Sequence, residues 1–155
     1  MKTDNSAVLK VLRRSMVARI ATLSRHGWSS INPLYFVYLN GHIWLGTSDW
    51  TLAAHNVKAD PRVSVLFEVE RDSDDHRVLR MRGWASVRAD PKAQRSYNLQ
   101  VARKYILTFG GIRNLLTHIR LLILKHRYHA QSALKGQACI IDVIPEQIEF
   151  LNDEQ

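Results

Sequence analysis

Six short runs of strand-forming residues, separated by turns, constrain the fold of this chain more than any other feature. Each run is rich in β-branched or aromatic residues, and Asn40-Gly41 is a pair that favours a two-residue hairpin. No strand–helix–strand series repeats along the chain, which argues against a parallel doubly wound sheet. The pattern predicts a mainly β fold whose antiparallel strands form a small closed or half-closed barrel. The predicted strands are residues 17–24, 29–39, 42–47, 62–70, 77–89 and 137–151.

Helices are predicted at a few places between these strands, where capping signals mark their starts. Asp90-Pro91 combines an N-cap residue with a proline at the first helical position. Pro33 cannot donate a backbone hydrogen bond, so its strand is expected to lie at a sheet edge or to carry a bulge. With 155 residues, we predict a single domain, 1–155, with a basic helical insertion at about 92–131. The predicted helices are 6–15 with Ser6 as N-cap, a short one after Thr51, 92–107 and 112–129.

The net charge of +8 is concentrated in one part of the chain, because residues 91–141 contain no Asp or Glu. Such a block attracts anions, although a solvated basic helix face is an equally good explanation. Its aromatic residues are not interleaved as a nucleic-acid stacking platform requires, so no nucleic-acid partner is expected. No apolar run approaches the ~20 residues of a membrane span. The single cysteine, Cys139, is interpreted as a buried strand residue of a cytoplasmic protein.

Small hydroxyl residues follow the third predicted strand and directly precede a helix. Thr47, Ser48 and Thr51 can donate to phosphate oxygens, and a helix start adds unpaired amides and the positive end of its dipole. Residues 51–55 contain no Lys or Arg, so a bound phosphate needs its neutralising charge from elsewhere. Trp50 is interpreted either as a ring that stacks on a bound ring system or as part of a dimer contact.

The run AAHNVKADPRVSVLF, residues 53–67, together with the Gly83–Ala85 pattern, resembles the FMN-binding split barrels related to pyridoxamine 5'-phosphate oxidase. The resemblance covers residues 17 to about 90. It implies a six-stranded Greek-key split β-barrel that forms a homodimer, with FMN or the deazaflavin F420 between the subunits. It places the phosphate and ring of the cofactor on the following positions of this chain: Thr47, Ser48, Thr51, Leu52 and Ala53 for the phosphate; Asn32, Pro33, Leu34, Tyr35 and Phe36 along the ring; and Val78 and Arg80 beside it.

Leu52 and Ala53 occupy the positions where the family usually carries a basic pair, and Asn32 lies at or beside the position of a family arginine. Strand alternation places Val78, Arg80, Arg82 and Trp84 on one face. The two arginines are interpreted either as a replacement anion site or as solvent-exposed charge.

The resemblance implies a flavin-dependent oxidoreductase acting on a small molecule, with no catalytic acid or base evident. The alternative is a non-catalytic flavin, deazaflavin or haem binding protein on the same fold. His126 and His129 share a helix face, but no third ligand accompanies them, so no metal site is predicted.

Overall fold

The computed structural model describes residues 5–69, 76–106 and 136–151. Three helices, a π-helical turn and seven strands make up this part of the chain. The predicted helix at 112–129, with most of the basic insertion, lies outside the described residues. In chain order the elements are α1 (Ser6–Arg14), β1 (Ala18–Leu23), β2 (Ser29–Leu34), β3 (Phe36–Leu39), β4 (His42–Ser48), α2 (Leu52–Ala59), β5 (Arg62–Phe67), β6 (Leu79–Arg88), α3 (Pro91–Val101), the π-helical turn (Ala102–Ile106) and β7 (Ala138–Phe150).

The strands form one antiparallel sheet in the order β2-β1-β5-β6-β7-β4-β3. Its two edge strands, β2 and β3, are consecutive in the chain and are separated only by Tyr35. Because one residue cannot cross a flat seven-stranded sheet, the sheet has to curl until its edges approach each other. The prediction of a mainly β, barrel-like fold is therefore confirmed.

The strand count differs from the prediction because the run 29–39 is broken at Tyr35. The carbonyl oxygen of Tyr35 accepts from Gly46 N at 3.1 Å and lies 3.2 Å from the donating hydroxyl of Tyr97. These contacts turn the chain from one sheet edge to the other, so six predicted strands become seven. Pro33 lies in the edge strand β2, as expected of a residue without an N–H group.

The main core fills the inside of the curled sheet. Alternate residues of β1, β5 and β6 point into it, and Phe36 packs edge-on against Phe67 at 4.8 Å between ring centroids. Helices α1 and α2 add Val8, Val11, Leu12, Ala53 and Val57 to the same core. Helix α1 begins at Ser6, but its N-cap is Asn5, whose side chain accepts from Ala7 N at 2.9 Å. The prediction of Ser6 as N-cap was therefore wrong by one residue, since the amide of Asn5 is an equally effective cap.

A second, smaller core lies on the outer face of β3, β4 and β7, where α3 covers the sheet. Ala93 and Tyr97 of α3 pack there against sheet residues that include Trp44 and Ile140. The helix starts as predicted, because Asp90 accepts from Ala93 N at 2.8 Å. It ends at Val101 and continues as the π-helical turn Ala102–Ile106, whereas one continuous helix was predicted over 92–107.

The outer face of β2, β1, β5, β6 and part of β7 is not covered by any helix of the described residues. Ile31, Trp84 and Ile144 are exposed there by 63%, 47% and 52%. Ile31 pairs with Ala21, Ala21 with Ser64, and Ser64 with Arg82, so these residues form one row across neighbouring strands. This uncovered face therefore combines apolar and basic side chains.

No helix within residues 5–69, 76–106 and 136–151 is long and apolar enough to cross a membrane.

Candidate functional site

The hydroxyl cradle, defined as Thr47, Ser48 and Thr51 with the first amides of α2, lies where β4 ends. Thr51 is the N-cap of α2, and its hydroxyl accepts from Ala54 N at 3.3 Å. The same hydroxyl donates to the carbonyl oxygen of Ser48 at 2.8 Å. Thr47 Oγ1 lies 2.9 Å from Thr51 Oγ1. The local sequence thus builds the predicted turn with its polar groups already close together.

These hydrogen bonds decide which groups remain able to donate to a ligand. A hydroxyl carries one hydrogen, and that of Thr51 is used on Ser48 O, so Thr47 has to be the donor in the Thr47–Thr51 pair. Within the described part of the chain, the Ser48 hydroxyl and the amides of Leu52 and Ala53 have no partner. Three outward donors therefore remain, and two of them are backbone amides at a helix start.

Leu52 and Ala53 occupy different environments although they are adjacent. Leu52 is 56% exposed, whereas Ala53 is 2% exposed and packs in the main core. Ala53 can therefore contact a ligand only through its backbone, while a side chain at position 52 can reach solvent or a bound group. Trp50, 43% exposed, lies at the same turn.

A negative charge lies beside the cradle. Asp49 accepts from Gln137 N at 3.0 Å through Oδ1, and Asp49 N donates to Gln137 O at 2.9 Å. Burial raises the pKa of the neighbouring Cys139 thiol, and the charge of Asp49 raises it further. The prediction that Cys139 is a buried strand residue is confirmed. The Asp49 charge disfavours a phosphate at the cradle, whereas Lys58, in the last turn of α2, is a cation that lowers the pKa of the same thiol.

Residues of the strand predicted to lie along a flavin ring differ in their exposure to solvent. Pro33 and Tyr35 are exposed, while Phe36 is buried in the main core and Leu34 packs against that core. Asn32 Oδ1 is a buried acceptor without a hydrogen-bond partner in residues 5–69, 76–106 and 136–151. The backbone of this strand and the side chains of Pro33 and Tyr35 are thus the parts that a ligand can contact.

Arg80 and Arg82 both lie on the uncovered outer face, where they share one carboxylate. Arg80 Nε and Nη2 lie 2.9 and 2.8 Å from Glu149 Oε1, and Arg82 Nη2 lies 2.8 Å from the same atom. The hydrogen bond from Arg80, and to a smaller extent that from Arg82, holds the pKa of Glu149 below its usual range. The cluster keeps one net positive charge. Sequence reasoning missed Glu149, because its contact with Arg80 joins two strands whose pairing residues lie 69 positions apart in the chain.

The cradle and the arginine cluster are far apart within one chain. Thr47 pairs with Cys139 and Arg82 pairs with Gln147, so eight residues of β7 separate them. At roughly 3.3 Å per strand residue this is about 25 Å. Val78 lies at the same end as the arginines, where its carbonyl accepts from Leu151 N at 2.9 Å. One phosphate therefore cannot contact both sets of residues in a single chain.

No group of three or more His, Cys, Asp or Glu side chains suited to a metal occurs in the part of the chain that the structure describes. The predicted His126 and His129 pair lies outside it. An imidazole–carboxylate pair lies on the outer face, where His42 Nδ1 is 2.8 Å from Asp142 Oδ1. Arg88 Nη1 contacts the other oxygen of Asp142 at 3.3 Å. This cluster links the start of α3 to the sheet through Asp90.

A curled antiparallel sheet, a helix-capped polar turn after β4 and a helix packed outside β3, β4 and β7 define a split β-barrel protein. The chain matches the pyridoxamine 5'-phosphate oxidase family over residues 5–152, and it belongs to that family. No curated protein sequence matches it.

Solved structures with the same fold include proteins with different ligands. A conserved hypothetical protein from Mycobacterium tuberculosis is 19% identical, with 95% of this chain and 83% of that chain covered and a TM-score of 0.68. An F420 reductase is 21% identical, with 90% and 94% covered and a TM-score of 0.61. The heme storage protein HutZ from Vibrio cholerae is 17% identical, with 96% and 94% covered and a TM-score of 0.62. At these identities the likeness establishes the fold alone.

Proposed function

We propose that this protein is a flavin-dependent oxidoreductase that acts as a homodimer and binds FMN, or alternatively the deazaflavin F420, between its subunits. The observation that carries the proposal is the hydroxyl cradle of a member of the pyridoxamine 5'-phosphate oxidase family, where Ser48 and two helix-start amides offer hydrogen-bond donors without partners in the described residues. Such donors suit the oxygens of a phosphate group. The flavin would supply the hydride chemistry, and the chain would bind and orient it.

A second copy of the chain would solve the charge problem of the cradle. A phosphate at the cradle meets Asp49 and no cation of α2's first turn. The cluster of Arg80, Arg82 and Glu149 carries a net positive charge but lies about 25 Å away in the same chain. A dimer that buries the uncovered face can bring the cluster of one chain toward the cradle of the other. The exposed Ile31, Trp84 and Ile144 supply apolar area for such an interface.

The alternative is a non-catalytic binding protein that holds a flavin, a deazaflavin or haem on the same fold. The neutral Leu52 and the core-facing Ala53 favour it, because a site without cations in the first turn of α2 binds a phosphate weakly. The likeness to a heme storage protein is consistent with it. The two proposals differ in the expected colour of the purified protein: oxidised flavin absorbs near about 450 nm, whereas haem gives a Soret band.

The test begins with the absorbance spectrum of the purified protein and mass spectrometry of any ligand that it releases. Titrations with FMN and riboflavin then measure what the phosphate contributes. Arg80→Ala and Arg82→Ala should each weaken FMN binding about tenfold or more if a charge-assisted hydrogen bond is lost. Arg95→Ala is the matched control, since Arg95 is an exposed arginine of α3, which lies outside the uncovered face. Equal affinity for FMN and riboflavin would refute phosphate binding at the cradle.

Leu52→Lys tests the cradle from the other side. Position 52 is exposed at the first turn of α2, so the new ammonium can reach a phosphate there without disturbing the core. FMN affinity should rise about fivefold to thirtyfold at low salt and less at high salt. Light scattering should give the mass of a dimer at micromolar concentration. A monomer mass would contradict the proposed shared site.

A further inference from the structure

The side of α3 that faces away from the barrel is basic. Ala93 and Tyr97 pack against the sheet in the second core, so their contacts fix which side of the helix faces inward. At about 3.6 residues per turn, the opposite side passes through residues 92, 95 and 99, and each of them is exposed. The next exposed side chain along the chain is that of Arg103, in the π-helical turn. This outward side, called the α3 stripe below, consists of Lys92, Arg95, Leu99 and Arg103.

Lys104, the neighbour of Arg103, points toward the barrel and is not part of the stripe. Its Nζ donates to the carbonyl oxygen of Leu12 at 3.0 Å and lies 3.3 Å from the centroid of the Phe36 ring. Burial lowers the pKa of Lys104 to about 7. The positive charge that α3 and its π-helical turn present to solvent therefore comes from the three cations of the stripe.

No carboxylate of residues 5–69, 76–106 and 136–151 forms an ion pair with these three cations. The acidic residue closest to them in the chain, Asp90, accepts from Ala93 N at 2.8 Å and pairs with Arg88 at 3.2 Å. Arg88 also pairs with Asp142, at 3.3 Å. Both carboxylates are thus already paired, and the sequence has no Asp or Glu between residues 91 and 106. The stripe therefore carries uncompensated positive charge, which attracts an anionic partner.

Leu99 distinguishes between the anionic partners that such a charge could attract. It is 53% exposed and lies between Arg95 and Arg103 on the stripe. At the boundary of a lipid bilayer, cations meet headgroup phosphates, while a leucine and the alkyl stems of Lys and Arg contact acyl chains. A nucleic-acid backbone offers phosphates but no apolar layer for Leu99. The one aromatic residue of α3, Tyr97, lies in the second core, where it cannot stack on a base.

The composition of the chain that follows α3 agrees with a lipid surface. Residues 107–135 contain five Lys or Arg, ten Leu or Ile and no Asp or Glu. A basic and leucine-rich composition is typical of segments that lie at the interface of an anionic bilayer. The stripe is thus continued in the sequence by residues of the same two kinds, although the inference rests on the four side chains of the stripe.

We propose that the α3 stripe docks this protein reversibly on the surface of a membrane that contains anionic lipids. The three cations would lie at the level of the headgroup phosphates, and Leu99 would enter the outermost part of the acyl layer. Each cation near such a surface contributes about fivefold in affinity, so the three together contribute roughly a hundredfold. The stripe lies on a different face from the exposed Ile31 and Trp84, so a dimer through the uncovered face would leave it accessible. The inference does not depend on which cofactor binds, or on whether one binds.

Co-sedimentation of the full chain with lipid vesicles tests the proposal. One set of vesicles consists of phosphatidylcholine alone, and the other of equal parts of phosphatidylcholine and phosphatidylglycerol. The chain should bind the anionic vesicles and not the neutral ones, and its affinity should fall as the salt concentration rises. Equal binding to both sets, or binding to neither, would overturn the proposal.

Matched variants separate the stripe from the general positive charge of the chain. Lys92→Gln/Arg95→Gln should weaken binding to the anionic vesicles about twentyfold to thirtyfold. Lys10→Gln/Arg25→Gln makes the same change in charge at exposed positions of α1 and of the β1–β2 turn, and should stay within about twofold of wild type. An equal loss in the two pairs would show that docking does not use the stripe. Leu99→Gln should weaken binding about threefold to tenfold at every salt concentration, because it removes an apolar rather than a charged contact.

A fluorescent label at position 99 reports insertion without relying on a loss of binding. Cys139 is fully buried, so Leu99→Cys supplies an exposed thiol for an environment-sensitive dye. The dye emission should shift to the blue with anionic vesicles only, and unchanged emission would refute the insertion. Titration with labelled single-stranded and double-stranded DNA tests the other class of anion. If Lys92→Gln/Arg95→Gln loses affinity for DNA but binds vesicles as wild type does, the stripe is a nucleic-acid surface and the proposal is wrong.

Discussion

Gly83→Ala tests the tight approach between β6 and β7, where the register shifts after Arg82. A Cβ on Gly83 would overlap the carbonyl oxygen of Ile144 and would lie only 3.0 Å from the Cα of Pro145. Both are backbone atoms of a central strand, so no side chain can rotate away to make room. Overpacking costs about 1–3 kcal/mol, and the loss of one ladder hydrogen bond at the shift adds about 1 kcal/mol. We therefore expect Gly83→Ala to lower the free energy of unfolding by about 3 kcal/mol.

Urea unfolding followed by tryptophan fluorescence and by far-UV circular dichroism measures this change, provided that both signals give the same midpoint. For a chain of this length, a loss of about 3 kcal/mol corresponds to a fall in Tm of roughly 6–12 °C. Ser86→Ala, at an exposed position of the same strand, is the control and should stay within about 0.5 kcal/mol of wild type. A Gly83→Ala protein that is as stable as this control would refute the reasoning, because β6 and β7 could then move apart without any loss in the free energy of unfolding.

Gly46→Ala should displace the Tyr97 ring, which occupies the space of the new Cβ, and so detach α3. The free energy of unfolding should fall by about 1–3 kcal/mol. If the double variant Gly46→Ala/Tyr97→Ala is less destabilised than the sum of the two single changes, the clash is confirmed. Asn56→Ala should cost about 1–3 kcal/mol in urea unfolding, because it leaves the buried hydroxyl of Thr22 without its amide donor. The wild-type free energy of unfolding should gain about 2 kcal/mol from Lys104 between pH 7 and pH 9, since the unfolded chain binds the extra proton there. Equal pH profiles for wild type and Lys104→Met would contradict this.

The residues that form strands, turns and helix starts could be identified from the sequence because their signals are local. Asn40 and Gly41 have φ angles of 51° and 84°, as their hairpin requires, and Asp90 caps α3 as its spacing from Pro91 indicates. Thr51 likewise caps α2. In each case the deciding interaction joins residues within about four positions of each other, so a short stretch of sequence contains both partners.

Side-chain contacts between strands far apart in the chain could not be predicted from such local signals. Arg80 and Arg82 were identified as an unusual pair, but the carboxylate they share, Glu149, lies 69 and 67 residues away on β7. The same strand separates these arginines from the hydroxyl cradle by eight residues, which only the sheet order reveals. Strand order depends on how all seven strands bury their inner faces together, and no local pattern records it.

The sequence alone determined the strand-rich fold, the resemblance to a family of split barrels and the absence of cations at the start of α2. Only the tertiary structure decided that Ala53 faces the core while Leu52 faces outward, and that Lys104 is an amine without a carboxylate partner among the described residues. In the sequence Lys104 is one of many lysines and arginines in a basic block. The depth of a side chain and the sign of its neighbours' charges depend on residues brought together from far along the chain, and these set its pKa and its chemistry.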